Sequence, residues 1–209
     1  MSESQAKQFR LNVAAWEPRS VVNGPGERFV LWLQGCPFRC RGCFNQEFLP
    51  NVERNSLRVA ELVDLITGVQ NLEGVTFSGG EPMAQAEGLF YLSKALRDRG
   101  LTVVCYSGYT MAELTKSRDP WVAQSLSTID ILVDGRFEEG LRINAPLRGS
   151  ENQQIHFLSE TYAHLSPGLH ERGREIEFVI GKGGFVTTGI VDEELVSRLE
   201  ALLNTGKSR

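Results

Sequence analysis

The sequence predicts an α/β fold built on a parallel sheet, and three observations carry the prediction. Strand-like apolar runs alternate with helical periodicity along residues 57–134, glycines follow the strands, and the intervening helices bring their own capping residues. Strands joined through helices return to the same end of the sheet, which makes neighbouring strands parallel. A chain of 209 residues is long enough for one well-filled core.

Taken in order, Phe9 to Trp16 alternates as an edge strand would, and Asn23-Gly-Pro-Gly26 is a turn by its residues alone. The continuous apolar run Phe29 to Leu33 is a buried strand that delivers the chain into a cysteine-rich loop continuing to Leu49-Pro50. Val59, Leu62, Val63 and Ile66 recur at helical spacing, with Ser56 as N-cap and Gly68 near the C-terminal end. Val75 to Ser78 is a short strand entering Gly79-Gly80-Glu81-Pro82, after which Ala86, Leu89, Leu92 and Leu96 mark a helix ended by Gly100. Leu101 to Tyr106 is the next strand. Ser107-Gly108 turns, Thr110 and Glu113 form a capping box, and Asp119-Pro120 restarts a helical turn. Ile129 to Asp134 is a further strand, followed by Gly135.

Past Glu138 the pattern is irregular as far as Gln153–Leu158, and the polar run Arg148 to Gln153 suits a surface loop or a lid. Glu175–Ile180 and Phe185–Thr188 around Gly181-Lys-Gly-Gly184 read as a β-hairpin, and Leu195, Val196, Leu199, Leu202 and Leu203 as a final amphipathic helix. In parallel sheets ligands bind at the carboxyl ends of the strands. The cysteine loop, Gly79–Pro82, Ser107–Tyr109 and Asp134–Phe137 therefore converge on one face.

Cys36, Cys40 and Cys43 place three thiols within eight residues, a soft donor set suited to zinc, copper(I) or an iron–sulfur cluster. A closed zinc site needs a fourth ligand, and cysteine pairs for zinc usually come as two separated clusters. The remaining thiol, Cys105, sits in a buried strand pattern and reads as core. A [4Fe-4S] cluster normally takes four cysteines, so three would leave one iron without a protein ligand and open to chemistry.

With 22 basic and 26 acidic side chains the net charge is −4, which argues against nucleic acid as the main partner. Met1 to Ser20 holds no signal-peptide-like apolar segment, and no run of about eighteen apolar residues occurs to span a membrane. The expectation is a cytoplasmic protein, in keeping with few, clustered cysteines rather than a disulfide framework.

Gly24-Pro-Gly26, the C-x-x-x-C-x-x-C loop with Gly42 and Phe44-Asn45, Phe77-Ser-Gly-Gly-Glu-Pro82, Tyr106-Ser-Gly-Tyr109, Val133-Asp-Gly-Arg-Phe137 and Arg148 to Gln153 occur in this order. Together they resemble the radical S-adenosylmethionine superfamily, and most of all its short activating enzymes of anaerobic ribonucleotide reductase, over about residues 20–155. The resemblance implies an incomplete β/α barrel of parallel strands with a C-terminal β-hairpin and helix. It implies one radical S-adenosylmethionine domain over residues 1–209, with a core at 20–155 and an extension at 156–209.

It further implies a [4Fe-4S] cluster on Cys36, Cys40 and Cys43 whose open iron chelates S-adenosylmethionine. One-electron reduction then gives a 5′-deoxyadenosyl radical that abstracts hydrogen from a glycine of a large glycyl-radical enzyme. Carried over by position, Gly79, Gly80 and Glu81 would hold the methionyl amino group, although a carboxylate at a helix start also fits Glu81. Ser107, Asp134 and Arg136 would bind ribose and carboxylate, or serve simply as turn residues. Asn152, with Gln153, matches the late polar motif. Reduced flavodoxin or a ferredoxin-type protein is the implied electron donor.

Arg39 and Arg41 flank the thiols, where charge tunes a cluster's potential or faces a partner, and solvated arginine is the plain alternative. His156, His164 and His170 lie outside the motifs. The chain departs from the short activases at Phe38, where they commonly have histidine, and at Arg41, where they commonly have proline. Two other readings stand beside this one: a radical enzyme acting on a small molecule or peptide, as the short deazaguanine-forming enzymes do, and a structural zinc or iron–sulfur binding module.

Overall fold

The computed structural model describes residues 9–171, 175–181 and 184–189, together with Arg198 and Ala201. A seven-stranded sheet organises it, with order β3-β1-β2-β4-β5-β6-β9. The strands are β1 (Arg10–Ser20), β2 (Arg28–Leu33), β3 (Asn55–Arg58), β4 (Gly74–Gly79), β5 (Thr102–Tyr106), β6 (Ile131–Asp134) and β9 (Gln154–Phe157). The central four, β2, β4, β5 and β6, run parallel, as the strand–helix alternation requires. Antiparallel strands flank them: β1 and β3 on one side, β9 on the other. The fold is mixed α/β with a mostly parallel central sheet. Among the described residues β3 and β9 do not pair, so the sheet is open.

Four helices, α1 (Val59–Thr67), α2 (Ala86–Arg97), α3 (Met111–Thr115) and α4 (Pro120–Leu126), supply the crossovers and cover one face. That face is the main core: Phe29, Leu31 and Leu33 of β2, Val75 and Phe77 of β4, and Val103 and Cys105 of β5 meet Leu62 and Ile66 of α1 and Leu89, Leu92 and Leu96 of α2. Each fully buried aliphatic or aromatic side chain contributes about 1.5–3 kcal/mol. Cys105 is fully buried here, as its strand pattern predicts. The alternate residues Thr76, Ser78, Val104 and Tyr106 face the other way.

The predicted caps of α3 and α4 form. Thr110 and Glu113 make a reciprocal capping box, and Asp119 accepts from the Trp121 N–H with Pro120 at the first helical position. Two local expectations change. β1 is interior rather than an edge, because Asn55–Arg58 pairs outside it, and Ser56 belongs to that strand. The α1 cap falls to Arg58, whose N–H donates to Glu61 at 2.8 Å. The stretch past Glu138 is also more regular than its composition suggests. It forms a small hairpin of β7 (Arg142–Ala145) and β8 (Arg148–Ser150), so part of the polar run is strand.

At the amino ends of the strands, on the face opposite the helices, the guanidinium of Arg28 is fully buried. It donates to Thr76 Oγ1, Pro25 O, Val75 O and Thr102 O at 2.8–3.0 Å, which offsets the burial that lowers its pKa. Beyond β9 a 3₁₀ segment runs over Glu160–Glu171, followed by the predicted hairpin of β10 (Ile176–Gly181) and β11 (Gly184–Gly189). The final helix expected over Leu195–Leu203 lies outside the described residues, save Arg198 and Ala201, both of which are helical. No helix among the described residues is long and apolar enough to cross a membrane.

Candidate functional site

β2 ends at Leu33, and the chain passes Gln34 and enters the cysteine loop through Gly35, whose φ of +96° suits glycine. Main-chain bonds close the loop: Gly35 N–H donates to Phe48 O at 2.8 Å and Cys36 N–H to Leu49 O at 3.0 Å. Cys36, Cys40 and Cys43 are free thiols, each partly buried. Burial pushes the Cys36 thiol up to about 11 and raises that of Cys43. Main-chain hydrogen bonds from Phe38 and Asn45 act the other way by favouring the thiolates.

The glycine turn after β4 docks directly on this loop. Gly80 N–H donates to Leu33 O at 2.7 Å and Glu81 N–H to Gly35 O at 2.9 Å. A Cβ on Gly80 would lie 2.2 Å from Gly35 O, and one on Gly79, at φ +101°, would lie 2.5 Å from Leu33 N. Both glycines are thus required for backbone contact between the two strand ends.

A cavity of about 890 Å³ opens at these ends. It gathers Cys36, Cys40, Cys43, Gly79, Gly80, Glu81, Ser107 and Arg136, all singled out by the sequence. Asp134 and Asn152 do not line it. Asp134 turns to the helix side: its carboxylate accepts from Met111 N–H at 2.5 Å and Gln154 N–H at 3.2 Å, tying β6 to α3 and β9. Asn152 donates to Arg136 O at 2.8 Å, and its Oδ1 is buried without a partner.

Glu81 is fully buried. Its carboxylate accepts from Gly108 N–H at 2.7 Å and from Met83 N–H and Ser107 Oγ at 2.9 Å. Burial nevertheless dominates those bonds and pushes its pKa up to about 7. Glu81 therefore both starts the 3₁₀ turn Pro82–Gln85 and fixes the turn after β5. Arg136 is braced by Glu113 at 2.9 Å and lies 4.3 Å over the Phe38 ring, which meets Tyr109 edge-on. Arg41 is almost fully exposed and pairs with Glu139 at 3.0 Å.

Sequence reasoning passed over Trp32, Ser78 and Tyr106, which line the cavity from inside the strands. The signal was available: each alternates with a core residue of its strand, so its side chain leaves the helix-covered face. Thr187, Thr188 and Gly189 of β11 also line the cavity, brought there by tertiary packing that no local pattern announces.

Among the described residues no three His, Cys, Asp or Glu side chains come close enough to share one metal ion. A single tetrahedral zinc, with bonds of about 2.3 Å, needs its sulfurs within about 4 Å of one another. A cubane cluster instead takes each thiolate on a different iron and spreads them. The soft donor set, the sulfur-directed amides and the adjoining cavity fit a cluster of that kind.

The family model of the 4Fe-4S single cluster domain matches residues 22–156. The chain belongs to that family of iron–sulfur domains. The chain is also similar to anaerobic ribonucleoside-triphosphate reductase-activating proteins. That of Vibrio cholerae is 34% identical over 155 residues, covering 70% of this chain and 97% of the relative. That of Escherichia coli K12 is 29% identical over 157 residues, 71% of this chain and 99% of the relative. The crystal structure of QueE from Escherichia coli aligns with 62% of this chain and 72% of its own at 16% identity, with a TM-score of 0.41.

Proposed function

We propose that this chain is a radical S-adenosylmethionine activating enzyme, which generates a glycyl radical on a large partner such as an anaerobic ribonucleotide reductase. One observation carries the reading: three thiols of one loop and the glycine turn of the next strand open into the same cavity. The relatives' name supports the partner class.

Cys36, Cys40 and Cys43 would hold the [4Fe-4S] cluster. A bound cluster would supply the single electron for reductive cleavage of S-adenosylmethionine. The chain's own residues position and exclude. Carbonyls of the Gly79–Gly80 turn receive the methionyl ammonium, and the buried Glu81, bonded to Met83, Ser107 and Gly108, holds that turn in place rather than reaching the ligand. Arg136, held by Glu113 and the Phe38 ring, presents its guanidinium to the carboxylate. Ser107 holds Glu81 in place, while Asp134 and Asn152 fix the turn after β6 from behind. Trp32 and Tyr106 give the cavity aromatic walls that suit a purine ring. The electron comes from reduced flavodoxin or a ferredoxin-type donor in the cytoplasm.

The four crossover α-helices lie on one face, which favours an incomplete β/α barrel with the cavity on its inner side, since a doubly wound sheet carries crossover helices on both. The whole of residues 1–209 then acts as one domain. A second reading, radical chemistry on a small molecule or peptide, draws on one feature, the wall that β11 adds to the cavity.

The test is anaerobic. The chain is reconstituted with iron and sulfide, reduced, and given S-adenosylmethionine, with 5′-deoxyadenosine assayed alongside electron paramagnetic resonance. Cleavage, a spectral change on adding the ligand, and a glycyl signal in an added anaerobic ribonucleotide reductase are expected. A cluster that neither binds nor cleaves S-adenosylmethionine overturns the reading.

A further inference from the structure

The cluster-domain match ends at residue 156, yet the chain beyond it is built into the site. Tyr162, 4% exposed, donates its hydroxyl to Glu73 Oε1 and lies 2.8 Å from Thr102 Oγ1 and 3.3 Å from Arg28 Nη1. Farther along, Thr188, 3% exposed, accepts from Asn23 Nδ2 at 2.7 Å. The two anchors join inside the molecule. Asn23 O accepts from Thr76 Oγ1 at 2.8 Å, and Thr76 Oγ1 accepts from Arg28 Nε at 2.9 Å. A buried hydrogen-bonded chain thus runs from Thr188 through Asn23, Thr76 and Arg28 to Tyr162. Buried networks of this kind hold only when every member is satisfied, and they fix one arrangement.

Thr187, Thr188 and Gly189 are consecutive, and all three line the cavity that holds the thiols. Successive strand residues point to opposite faces. A cavity bounded by three in a row therefore meets β11 along its edge. Among the described residues β11 pairs with β10 alone. Its anchored Thr188 keeps that edge in place, and a Cβ on Gly189, at φ +98°, would come within 2.5 Å of Glu175 O.

We infer that this edge is the substrate track: an extended polypeptide segment of the partner lies beside Thr187–Gly189 as an added strand, and its glycine reaches into the thiol-lined cavity. The inference rests on the activating-enzyme reading and deepens it. Backbone pairing gives affinity for any sequence in an extended conformation. The small side chain of Thr187 and the absence of one at Gly189 leave room for a glycine-bearing segment. Hydrogen transfer then breaks one α C–H bond of that glycine. The hydrogen atom passes to the 5′ carbon, completing 5′-deoxyadenosine, and the unpaired electron stays on the α carbon.

The probe is a synthetic peptide of alanine and serine with one central α,α-dideuteroglycine, beside an analogue N-methylated at alternate amides so that it cannot pair as a strand. Hydrogen exchange is followed on the cluster-free chain. Deuterium in 5′-deoxyadenosine is followed on the reconstituted enzyme with dithionite and S-adenosylmethionine. The plain peptide is expected to slow exchange of the 184–189 amides and to transfer deuterium at least about tenfold more than the methylated one. Thr188→Val, which removes the hydroxyl bonded to Asn23, is expected to lower both signals. Thr187→Tyr, which leaves that anchor in place and crowds the edge, gives the same loss if Thr188→Val unfolds the hairpin.

Equal behaviour of the two peptides overturns the inference, as does absence of protection at 184–189 or no deuterium transfer from an enzyme that does cleave S-adenosylmethionine. Protection by the plain peptide in a chain that never forms 5′-deoxyadenosine instead upholds the docking edge and removes the activating-enzyme reading.

Discussion

Glu81 makes a stability prediction whose sign is set by its surroundings. The carboxyl is fully buried, and its pKa rises from 4.5 to about 7 despite three hydrogen bonds to the ionised form. The folded chain therefore binds this proton more tightly than the unfolded chain. Stability from the protonated form is complete below the unfolded value and is lost as pH rises through the folded one. At about 1.4 kcal/mol per pH unit, the loss amounts to roughly 3 kcal/mol. Glu81→Gln removes the titration. It also sets an amide N–H₂ against one of the three donors, costing about 1–3 kcal/mol at every pH. Urea midpoints of the cluster-free wild type and variant, measured between about pH 5 and 8, separate the two effects. The wild type should fall toward the variant as pH rises. Parallel profiles would show that the carboxylate is ionised throughout and that its donors outweigh burial.

Three other outcomes follow from the geometry. Replacing Cys36, Cys40 or Cys43 with alanine should each abolish cluster retention in the reconstituted chain. Cys105→Ala should keep the iron content and cost about 1 kcal/mol of stability from the lost core volume, which iron assay and denaturation distinguish. Gly80→Ala drives a Cβ against Gly35 O at 2.2 Å, so it should displace the thiol loop and lower iron uptake while far-ultraviolet circular dichroism is unchanged. Tyr162→Phe removes the hydroxyl between Glu73 and Arg28 and should cost about 1–3 kcal/mol, read as a lower urea midpoint.

Much of this was legible in the chain itself because its signals are local. The strand–glycine–helix rhythm from Val75 to Gly135 specified the parallel strands, and the Thr110–Glu113 and Asp119-Pro120 signals specified the caps of α3 and α4. The three cysteines and the Gly79–Glu81 turn fell together because both stand at carboxyl ends of adjacent strands. What escaped depends on partners distant in sequence. Asn55–Arg58 has one apolar residue, Leu57, and becomes a strand only by pairing with β1. Asp134 ends a strand as expected, but parity along β6 turns its side chain to the helix face and away from the cavity. Thr188 carries no motif, and its place is set by Asn23, 165 positions earlier.

The main-chain closure of the thiol loop separates its shape from its sulfur donors. Gly35 to Phe48 and Cys36 to Leu49 are joined by the polypeptide's own amides, and Gln34 Nε2 adds a bond to Pro50 O at 2.7 Å. None of these three bonds uses a thiol. A substitution at Cys36, Cys40 or Cys43 therefore removes one sulfur and keeps every bond that closes the loop, so donor chemistry and loop shape can be varied separately.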